Sequence, residues 1–360
     1  MERVSPITGC LIGVMAALAL SGCTAAVPYA ISAAQVMAAT PSQTQQNQQA
    51  QATGTSARPA GTSTPAASVD HAAARQEAGR PYRLVAEQKY DEALPLLRDR
   101  ADRGDAKAQG QLALLYYEGK GVPEDHHKAA EWMQRSAEGG ESDSQSMLAW
   151  FSYTGTGIPQ DYGKAVDWAQ KAMAKGDANA TTLLASLYRT GRGVPKNYTR
   201  AMELYAAADS AGNIKAPAHI ASMYQAGQGV DRDYRQAIDW YSKAAEKGNV
   251  SGWVHLAALY ATCQDPRYVD GPKAVAYALK ATEKDPRNFA SWAALAAAHA
   301  RNNEFDQAIA VAAKSDGLLQ ADTKLGATAK QAAIQRAQRR LAAYQEQKAY
   351  TEENEMEEEN

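Results

Sequence analysis

A short glycine-containing segment occurs four times in this sequence, at intervals of 36 residues. Its first copy reads Gly-Lys-Gly-Val-Pro, and the paired glycines of the four copies are Gly119 and Gly121, Gly155 and Gly157, Gly191 and Gly193, and Gly227 and Gly229. A single glycine keeps the same interval at Gly104, Gly140, Gly176, Gly212 and Gly248. A fixed interval of this length is typical of a solenoid, in which each repeat is one supersecondary unit that stacks on the next.

Both kinds of glycine predict the ends of helices. Glycine can end a helix in the left-handed conformation without the steric penalty that a side chain brings. Polar residues suited to capping the start of a helix follow the paired glycines in one column, Asp125, Asp161, Asn197 and Asp233. The sequence therefore predicts two helices in each repeat, joined by the paired-glycine loop and followed by the single glycine.

Apolar residues between these loops recur at helical spacing. In the first helix one large residue per repeat occupies the same column, namely Leu112, Leu148, Leu184, Ile220 and Leu256. In the second helix the corresponding columns are small and then large, with Ala129, Ala165, Ala201 and Ala237 followed by Trp132, Trp168, Leu204 and Trp240. These columns predict close helix crossings filled by the large residue. Helices of about 13 residues are too short to be stable alone, so stacking must stabilise them.

The combined pattern L-A-x-x-Y, G-x-G-V-P-x-D, K-A-x-x-W and A-x-x-G resembles the Sel-one-like repeat, a relative of the tetratricopeptide repeat. Four copies span residues 105–248. The resemblance implies an all-α fold, a right-handed α-solenoid of about five helix pairs, and use as a protein-binding scaffold. Trp292, Leu295, Ala296 and Ala308 follow tetratricopeptide spacing, so the C-terminal units are expected to be tetratricopeptide-like.

Segments on either side of the four repeats complete the predicted organisation. Residues 71–104 read as a degenerate opening repeat whose first helix is interrupted by Gly79 and Pro81. Residues 249–319 read as a divergent fifth repeat followed by a tetratricopeptide-like unit, and residues 320–349 as a capping helix. The acidic tail, residues 350–360, is interpreted mainly as a solvated segment, with a binding role as the alternative.

The N-terminal residues read as a targeting segment. Residues 1–22 hold an apolar run too short to span a bilayer, and Leu20-Ser21-Gly22-Cys23 resembles a bacterial lipobox. A lipid on Cys23 would anchor the protein to a membrane, and Thr24 after the cysteine favours, by resemblance, the outer membrane on its periplasmic side. The alternative is an ordinary signal peptide with an incidental Cys23. Residues 23–70, rich in Ala, Gln, Thr and Pro, are expected to form a disordered tether.

The residues that usually carry chemistry do not form a recognisable catalytic or metal-binding motif. The cysteines are Cys10, Cys23 and Cys263, of which only Cys263 would remain as an unmodified thiol. The adjacent His126 and His127 point about 100° apart on a helix and make a poor chelate. No phosphate-binding loop or hydrolase motif is present, and a net charge of −2 gives no bias toward nucleic acid. We therefore expect no enzymatic activity, no cofactor, no metal and no small-molecule substrate.

By analogy with tetratricopeptide units, certain positions of the first helices line the concave face of the solenoid. They predict a partner-binding set formed by Leu114, Tyr117, Trp150, Tyr153 and Arg189. Aromatic anchors on a concave wall suit a binding hot spot. The alternative is that these side chains pack against neighbouring helices and serve the core.

The favoured hypothesis is a non-catalytic, lipid-anchored envelope scaffold that binds a protein or a peptide in its groove. Lipoproteins of this repeat class assist exopolysaccharide assembly and export, so the resemblance suggests a place in such a machine. The alternative is an envelope enzyme, or a binder of cell-wall glycan or peptide, built on the same repeats.

Overall fold

The computed structural model describes residues 77–323 and 325–350. The predicted signal peptide, the lipidation site Cys23, the tether and most of the acidic tail lie outside these residues. Within them every regular element is a helix, as predicted. None of these helices combines the length and the apolar character that crossing a membrane requires.

The helices follow one another through short loops. Residues 77–86 are helical, including Gly79 and Pro81, where the sequence suggests an interruption. The later helices are α1 (Tyr90–Asp102), α2 (Ala106–Glu118), α3 (His126–Glu138), α4 (Ser142–Thr154), α5 (Tyr162–Met173), α6 (Ala178–Thr190), α7 (Tyr198–Ser210), α8 (Ala216–Ala226), α9 (Tyr234–Glu246), α10 (Val250–Thr262), α11 (Gly271–Lys284), α12 (Phe289–Arg301), α13 (Phe305–Ala321) and α14 (Ala327–Gln345). A short 3-10 helix, Pro266–Tyr268, stands between α10 and α11.

The described residues belong to two compact units, one ending at Asp177 and the other beginning at Ala178. In the first unit, α2 packs on α3 and α4 packs on α5, and α3 also contacts α4. In the second unit the same pairing joins α6 to α7, α8 to α9 and α10 to α11. Each unit is thus built from helical hairpins, which confirms the predicted all-α repeat fold of the solenoid class.

The predicted capping column forms as expected at the start of each second helix. The carboxylate of Asp125 accepts a hydrogen bond from the backbone N–H of Lys128, at 3.0 Å. The same bond recurs in the next three repeats, from Lys164 to Asp161, from Arg200 to Asn197 and from Gln236 to Asp233. Each bond satisfies one of the N–H groups that a helix leaves without an intrahelical partner.

The two glycines of a loop have different tasks. Gly155 ends α4 in the left-handed conformation, with φ of 78°. Gly157 also has positive φ, but a Cβ atom built on it would lie 1.9 Å from the carbonyl oxygen of His126, in the preceding repeat. The second glycine is therefore required because the loop approaches the start of a neighbouring helix closely. The single glycine Gly176 has positive φ, and nothing lies within 4 Å of a Cβ atom built on it.

The cores confirm the small column, and in the large column Leu204 is buried and the tryptophans pack against the core clusters. Ala129, Ala165, Ala201 and Ala237 are fully buried, so helices cross closely there. The tryptophans that follow are only half-buried. A basic side chain covers the indole ring of each: Arg135 lies 4.6 Å from the ring centroid of Trp132, Lys171 3.9 Å from Trp168 and Lys243 4.6 Å from Trp240. These rings sit at the edge of the core, since one face packs inward and a cation stacks on the ring.

Candidate partner-binding face

The predicted partner-binding residues lie on three first helices. Leu114 and Tyr117 are on α2, Trp150 and Tyr153 on α4, and Arg189 on α6. Each of the first two pairs is three residues apart, which places its members on one face of the helix. Four of the five residues belong to the first unit and Arg189 belongs to the second, so the two sets are described separately.

Aromatic rings of the first unit form two sets of ring contacts, one around Tyr117 and one around Tyr153. The ring of Tyr117 stacks on His126 with centroids 5.2 Å apart, and it lies 5.4 Å from the ring of Phe151. Trp150 and Tyr153 are 5.6 Å apart, and Tyr153 lies 5.7 Å from Tyr162. Offset and tilted contacts at these distances stabilise ring pairs beyond the area that they bury. The structure thus places four of the predicted side chains in one aromatic and apolar cluster. Leu114, Tyr117 and Trp150 pack against the same core residues, and Tyr153 contacts Trp150.

Exposure divides the predicted residues into two groups. Leu114, Tyr117 and Trp150 are half-buried and pack against a core cluster that includes Phe151. Tyr153 and Arg189 are each only 7% exposed and present little surface to a partner. The two interpretations, partner binding and core packing, therefore apply to different residues. Tyr153 and Arg189 serve packing, whereas Leu114, Tyr117 and Trp150 keep an accessible part that a partner could contact.

The same ring contact recurs at Tyr117 and Tyr153. Tyr117 and Tyr153 occupy the same position of successive repeats, and each contacts the ring at the first residue of its own second helix, His126 or Tyr162. The paired-glycine loop brings these two positions together. His126 occupies the position that tyrosines fill in the later repeats, at Tyr162, Tyr198 and Tyr234, and it packs in the same way. The sequence pattern did not single out Phe151.

The surroundings of this cluster are acidic. Burial, followed by the negative charges of Glu118 and Glu124, raises the pKa of Tyr117, so its phenol stays protonated at neutral pH. Asp143 lies two helical turns before Trp150 on α4. Partial desolvation and the neighbouring charges of Asp177 and Glu141 raise the pKa of Asp143. A ligand at this face would meet phenol and indole groups beside carboxylates.

The described residues contain no group of three or more His, Cys, Asp or Glu side chains placed to hold a metal ion. His126 Nε2 lies 3.0 Å from a carboxylate oxygen of Glu124, and His127 Nδ1 lies 3.4 Å from one of Glu131. Each histidine therefore faces its own carboxylate. Cys263 is buried in the core of the second unit, at 4% exposure. The face formed by Leu114, Tyr117 and Trp150 therefore offers a partner aromatic stacking and apolar contact.

Comparison with known protein families gives the class of the repeats. The family model of the Sel1 repeat matches residues 106–141, 142–177, 178–213 and 218–249, and a tetratricopeptide repeat model matches residues 277–310. The chain therefore carries four Sel1 repeats followed by a tetratricopeptide-like unit, which confirms the resemblance found in the sequence. The tetratricopeptide match begins within α11, before Trp292, the first of the residues at tetratricopeptide spacing.

Solved structures of repeat proteins resemble this chain. A Sel1 repeat protein from Oxalobacter formigenes is 28% identical with a TM-score of 0.55, over 61% of this chain and 87% of that one. The protective antigen c5321 of uropathogenic Escherichia coli strains, which displays an SLR fold, is 26% identical with a TM-score of 0.48, over 70% of this chain and 56% of that one. No curated protein matches the sequence.

The protein is thus a helical-repeat scaffold of a kind suited to protein–protein interaction. More particularly, four stretches between residues 106 and 249 match the Sel1 repeat, and residues 277–310 match a tetratricopeptide repeat.

Proposed function

We propose that this chain is a non-catalytic scaffold of the bacterial envelope, anchored by a lipid on Cys23, that holds a protein or a peptide through the face formed by Leu114, Tyr117 and Trp150. The observation that carries the binding part of the proposal is that Leu114, Tyr117 and Trp150 pack, partly buried, against one core cluster of the first unit. These side chains are fixed by packing and keep an accessible part. Side chains held in place lose little conformational freedom when a partner binds, which favours affinity.

The chemistry of this face supports a protein or peptide partner. Indole and phenol rings present large contact areas with few rotatable bonds, and such residues dominate protein interfaces. The carboxylates of Glu118, Glu124 and Asp143 near the cluster supply charge that selects among partners more than it adds affinity. The proposal therefore assigns affinity to the rings and selectivity to the acidic rim.

The anchoring part of the proposal rests on the sequence Leu20-Ser21-Gly22-Cys23. With about 45 residues between the lipid and the first repeat, a flexible chain has a typical reach on the order of 35–40 Å. The scaffold could then hold its partner above the outer membrane surface within the periplasm. By its resemblance to lipoproteins of the Sel-one-like repeat class, the scaffold would hold a component of an export or exopolysaccharide machine during assembly.

Capture of partners in cells tests the binding face. The full chain and its Tyr117→Ala/Trp150→Ala variant are crosslinked in cells, purified and analysed by mass spectrometry. We expect an envelope protein that the wild type captures and the variant loses, with circular dichroism unchanged. A matched control is Trp168→Ala, since Trp168 is an equally half-buried indole of the same unit but lies on the second helix α5. Equal capture by wild type and double variant would contradict the proposed face.

Lipid attachment is tested separately. Metabolic labelling with a fatty-acid analogue should label the wild type and leave Cys23→Ala unlabelled, and detergent phase partition should move only the variant to the aqueous phase. An unlabelled wild-type chain would favour an ordinary signal peptide. Turnover of peptidoglycan fragments or β-lactams by the purified chain would instead support the alternative of an envelope enzyme.

A further inference from the structure

The loop between α2 and α3 carries a carboxylate close to Tyr117. The loop folds back on the end of α2, since the backbone N–H of Asp125 donates to the carbonyl oxygen of Tyr116 at 2.9 Å. It is also tightly packed, because a Cβ atom built on Gly119 would lie 3.2 Å from the Cβ atom of Glu124. Glu124 is therefore held next to the C-terminal end of α2, where Tyr117 lies.

Negative charges act on the phenol of Tyr117. Burial is the larger influence on its pKa, and the charges of Glu118 and Glu124 raise that pKa further. The carboxylate of Glu118 is offset by Lys120, whose ammonium nitrogen lies 2.8 Å away. Glu124 pairs instead with His126 at 3.0 Å, and an imidazole offsets a carboxylate only when it carries a proton. Whenever His126 is neutral, Glu124 therefore keeps its negative charge beside Tyr117.

The turn itself does not require an acidic residue at this position. In the later repeats the position of Glu124 is filled by Gln160, Lys196 and Arg232. Gln160 donates from its side-chain amide to the backbone carbonyl oxygen of Tyr153 at 2.8 Å. The acidic residue thus accompanies Tyr117, which keeps an accessible part, whereas glutamine accompanies the buried Tyr153.

The same chain shows what a phenol ring beside a carboxylate can hold. The ammonium group of Lys128 lies over the ring of Tyr116, 5.6 Å from its centroid, and 3.1 Å from the carboxylate of Asp125. The arrangement recurs in the second unit with Lys273, Tyr260 and Asp270. A cation is attracted both by the face of an aromatic ring and by the charge of a carboxylate. In this fold the two groups together therefore hold a lysine.

Tyr117 and Glu124 offer the same two groups to an outside cation. Among the residues that the structure describes, no lysine or arginine pairs with Glu124 or lies over the ring of Tyr117. Tyr117 is half-buried, and the side chain of Glu124 is 63% exposed. A positively charged side chain could therefore reach both groups from solvent.

We propose that the partner of this scaffold places a lysine or arginine side chain against Tyr117, where its cation pairs with Glu124. The inference rests on the proposed function, in which this face holds a protein or a peptide. Apolar side chains of the partner segment then contact Leu114 and Trp150, and the ion pair fixes the register of that segment. Acidic segments are repelled, which adds selectivity without new contacts.

A library of random peptides displayed on phage tests the inference. Peptides are selected on the full chain at about pH 8, where histidine side chains are largely neutral. We expect the selected peptides to contain lysine and arginine about threefold more often than the unselected library does. Their binding should be lost with Tyr117→Ala/Trp150→Ala, which shows that they occupy the proposed face.

Two substitutions of Glu124 test the ion pair. Both should keep the loop, since Gln160 and Lys196 fill this position in later repeats. Synthetic copies of the selected peptides should bind Glu124→Gln about threefold to fivefold more weakly than wild type, as expected of an exposed ion pair. This difference should vanish in about 1 M salt. Selection on Glu124→Lys should instead favour peptides rich in aspartate and glutamate.

The matched control is Glu131→Gln. Glu131 is also an exposed carboxylate that faces a histidine, since it lies 3.4 Å from His127, but it lies on α3. The selected peptides should bind this variant as they bind wild type. Peptides that need Tyr117 and Trp150 but show no basic enrichment, or no loss with Glu124→Gln, would overturn the inference and leave the proposed function in place. Recovery of no peptide, or only of peptides indifferent to Tyr117→Ala/Trp150→Ala, would overturn both.

Discussion

The imidazole ring of His255 stacks on the phenol ring of Tyr241, with centroids 4.8 Å apart and ring planes at 21°. One repeat earlier His219 stacks on Tyr205 in the same way, at 4.8 Å and 18°. Among the described residues His255 Nδ1 is shielded from solvent and has no hydrogen-bond partner. Both pairs join a second helix to the first helix of the following repeat, so a proton on either ring would place a charge within the stack.

Stability should therefore fall at acidic pH. Burial lowers the pKa of His255 to about 4. Burial, followed by the positive charges of Arg189 and Lys215, lowers the pKa of His219 to about 3. The unfolded chain binds these protons near pH 6.5 and the folded chain does not, so stability is constant above that pH and decreases below it. At pH 5 we expect each histidine to lower the free energy of unfolding by about 1–2 kcal/mol. The loss is no larger because both residues are only half-buried.

Denaturant unfolding at pH 7.5 and pH 5 measures this loss. The control is His219→Leu/His255→Met, since Leu183 and Met147 occupy the same column in earlier repeats. The control should lose less stability between the two pH values than the wild type does. An equal loss in both proteins would show that other groups cause the acid sensitivity.

Replacing the two kinds of glycine should have unequal effects. Gly157→Ala forces a Cβ atom against the backbone of His126 and also strains a left-handed residue, with φ of 69°. Gly176→Ala strains only the backbone, at φ of 85°, because nothing lies within 4 Å of its added Cβ. We expect about 1–2 kcal/mol of destabilisation for Gly176→Ala and more than about 3 kcal/mol for Gly157→Ala. Thermal unfolding of both variants gives the comparison, and similar losses would argue against the close approach.

The ion pairs of Asp209 should matter more than those on the surface. Asp209 lies on α7 and is 8% exposed as a side chain. It pairs with Lys243 of α9 at 2.6 Å and with Lys247, the residue after α9, at 2.5 Å. Although burial alone would raise the pKa of Asp209, the hydrogen bonds from the two lysines lower it. The double variant Lys243→Met/Lys247→Met leaves this carboxylate without its cations. It should lower the free energy of unfolding by about 2 kcal/mol. The loss is smaller than for a fully buried ion pair because Lys243 is partly exposed.

A surface pair provides the comparison for Asp209. Lys273 pairs with Asp270 at 2.9 Å, and the side chain of Lys273 is 60% exposed. Lys273→Met should change the free energy of unfolding by less than about 1 kcal/mol. Urea unfolding of the two variants and the wild type checks the order. If the double lysine variant is no less stable than Lys273→Met, the pairs of Asp209 do not stabilise the second unit.

The capping column predicts a smaller and more local effect. Asp161→Ala removes the acceptor for the backbone N–H of Lys164 and should cost about 1 kcal/mol. Asp161→Asn should keep most of the stability, since Asn197 fills the same role one repeat later. Hydrogen exchange in the first turn of α5 measures the loss directly. Equal exchange in the alanine and asparagine variants would contradict a capping role.

The sequence determined much of the fold because its signals are local and repeated. The glycine interval located the loops, and the capping column located the start of each second helix. Backbone conformation at Gly119 and the hydrogen bond of Asp125 depend on residues within a few positions, so one repeat contains the information needed to predict them. Because the glycine interval and the capping column recur in four repeats, a chance occurrence of the pattern is easily excluded.

The two glycines of one loop show where local pattern was insufficient. They look alike in the sequence, yet a Cβ atom added to Gly155 would meet its own loop, whereas one added to Gly157 would meet the preceding repeat at His126. The candidate site shows the same division: analogy placed Tyr117 and Tyr153 in one column, but Tyr153 is buried and Tyr117 remains partly exposed.

The sequence by itself thus determined the helices, their ends, the repeat class and the residue types that form the aromatic cluster. Only the tertiary structure decided which of those rings are exposed, why the second glycine of each loop is needed, and that His219 and His255 lie against tyrosines of neighbouring helices. The physical reason is the separation along the chain of the residues that determine each property. Helix ends depend on backbone groups a few residues apart, whereas the exposure of a side chain and the pKa of a histidine depend on packing against residues that other helices bring to it.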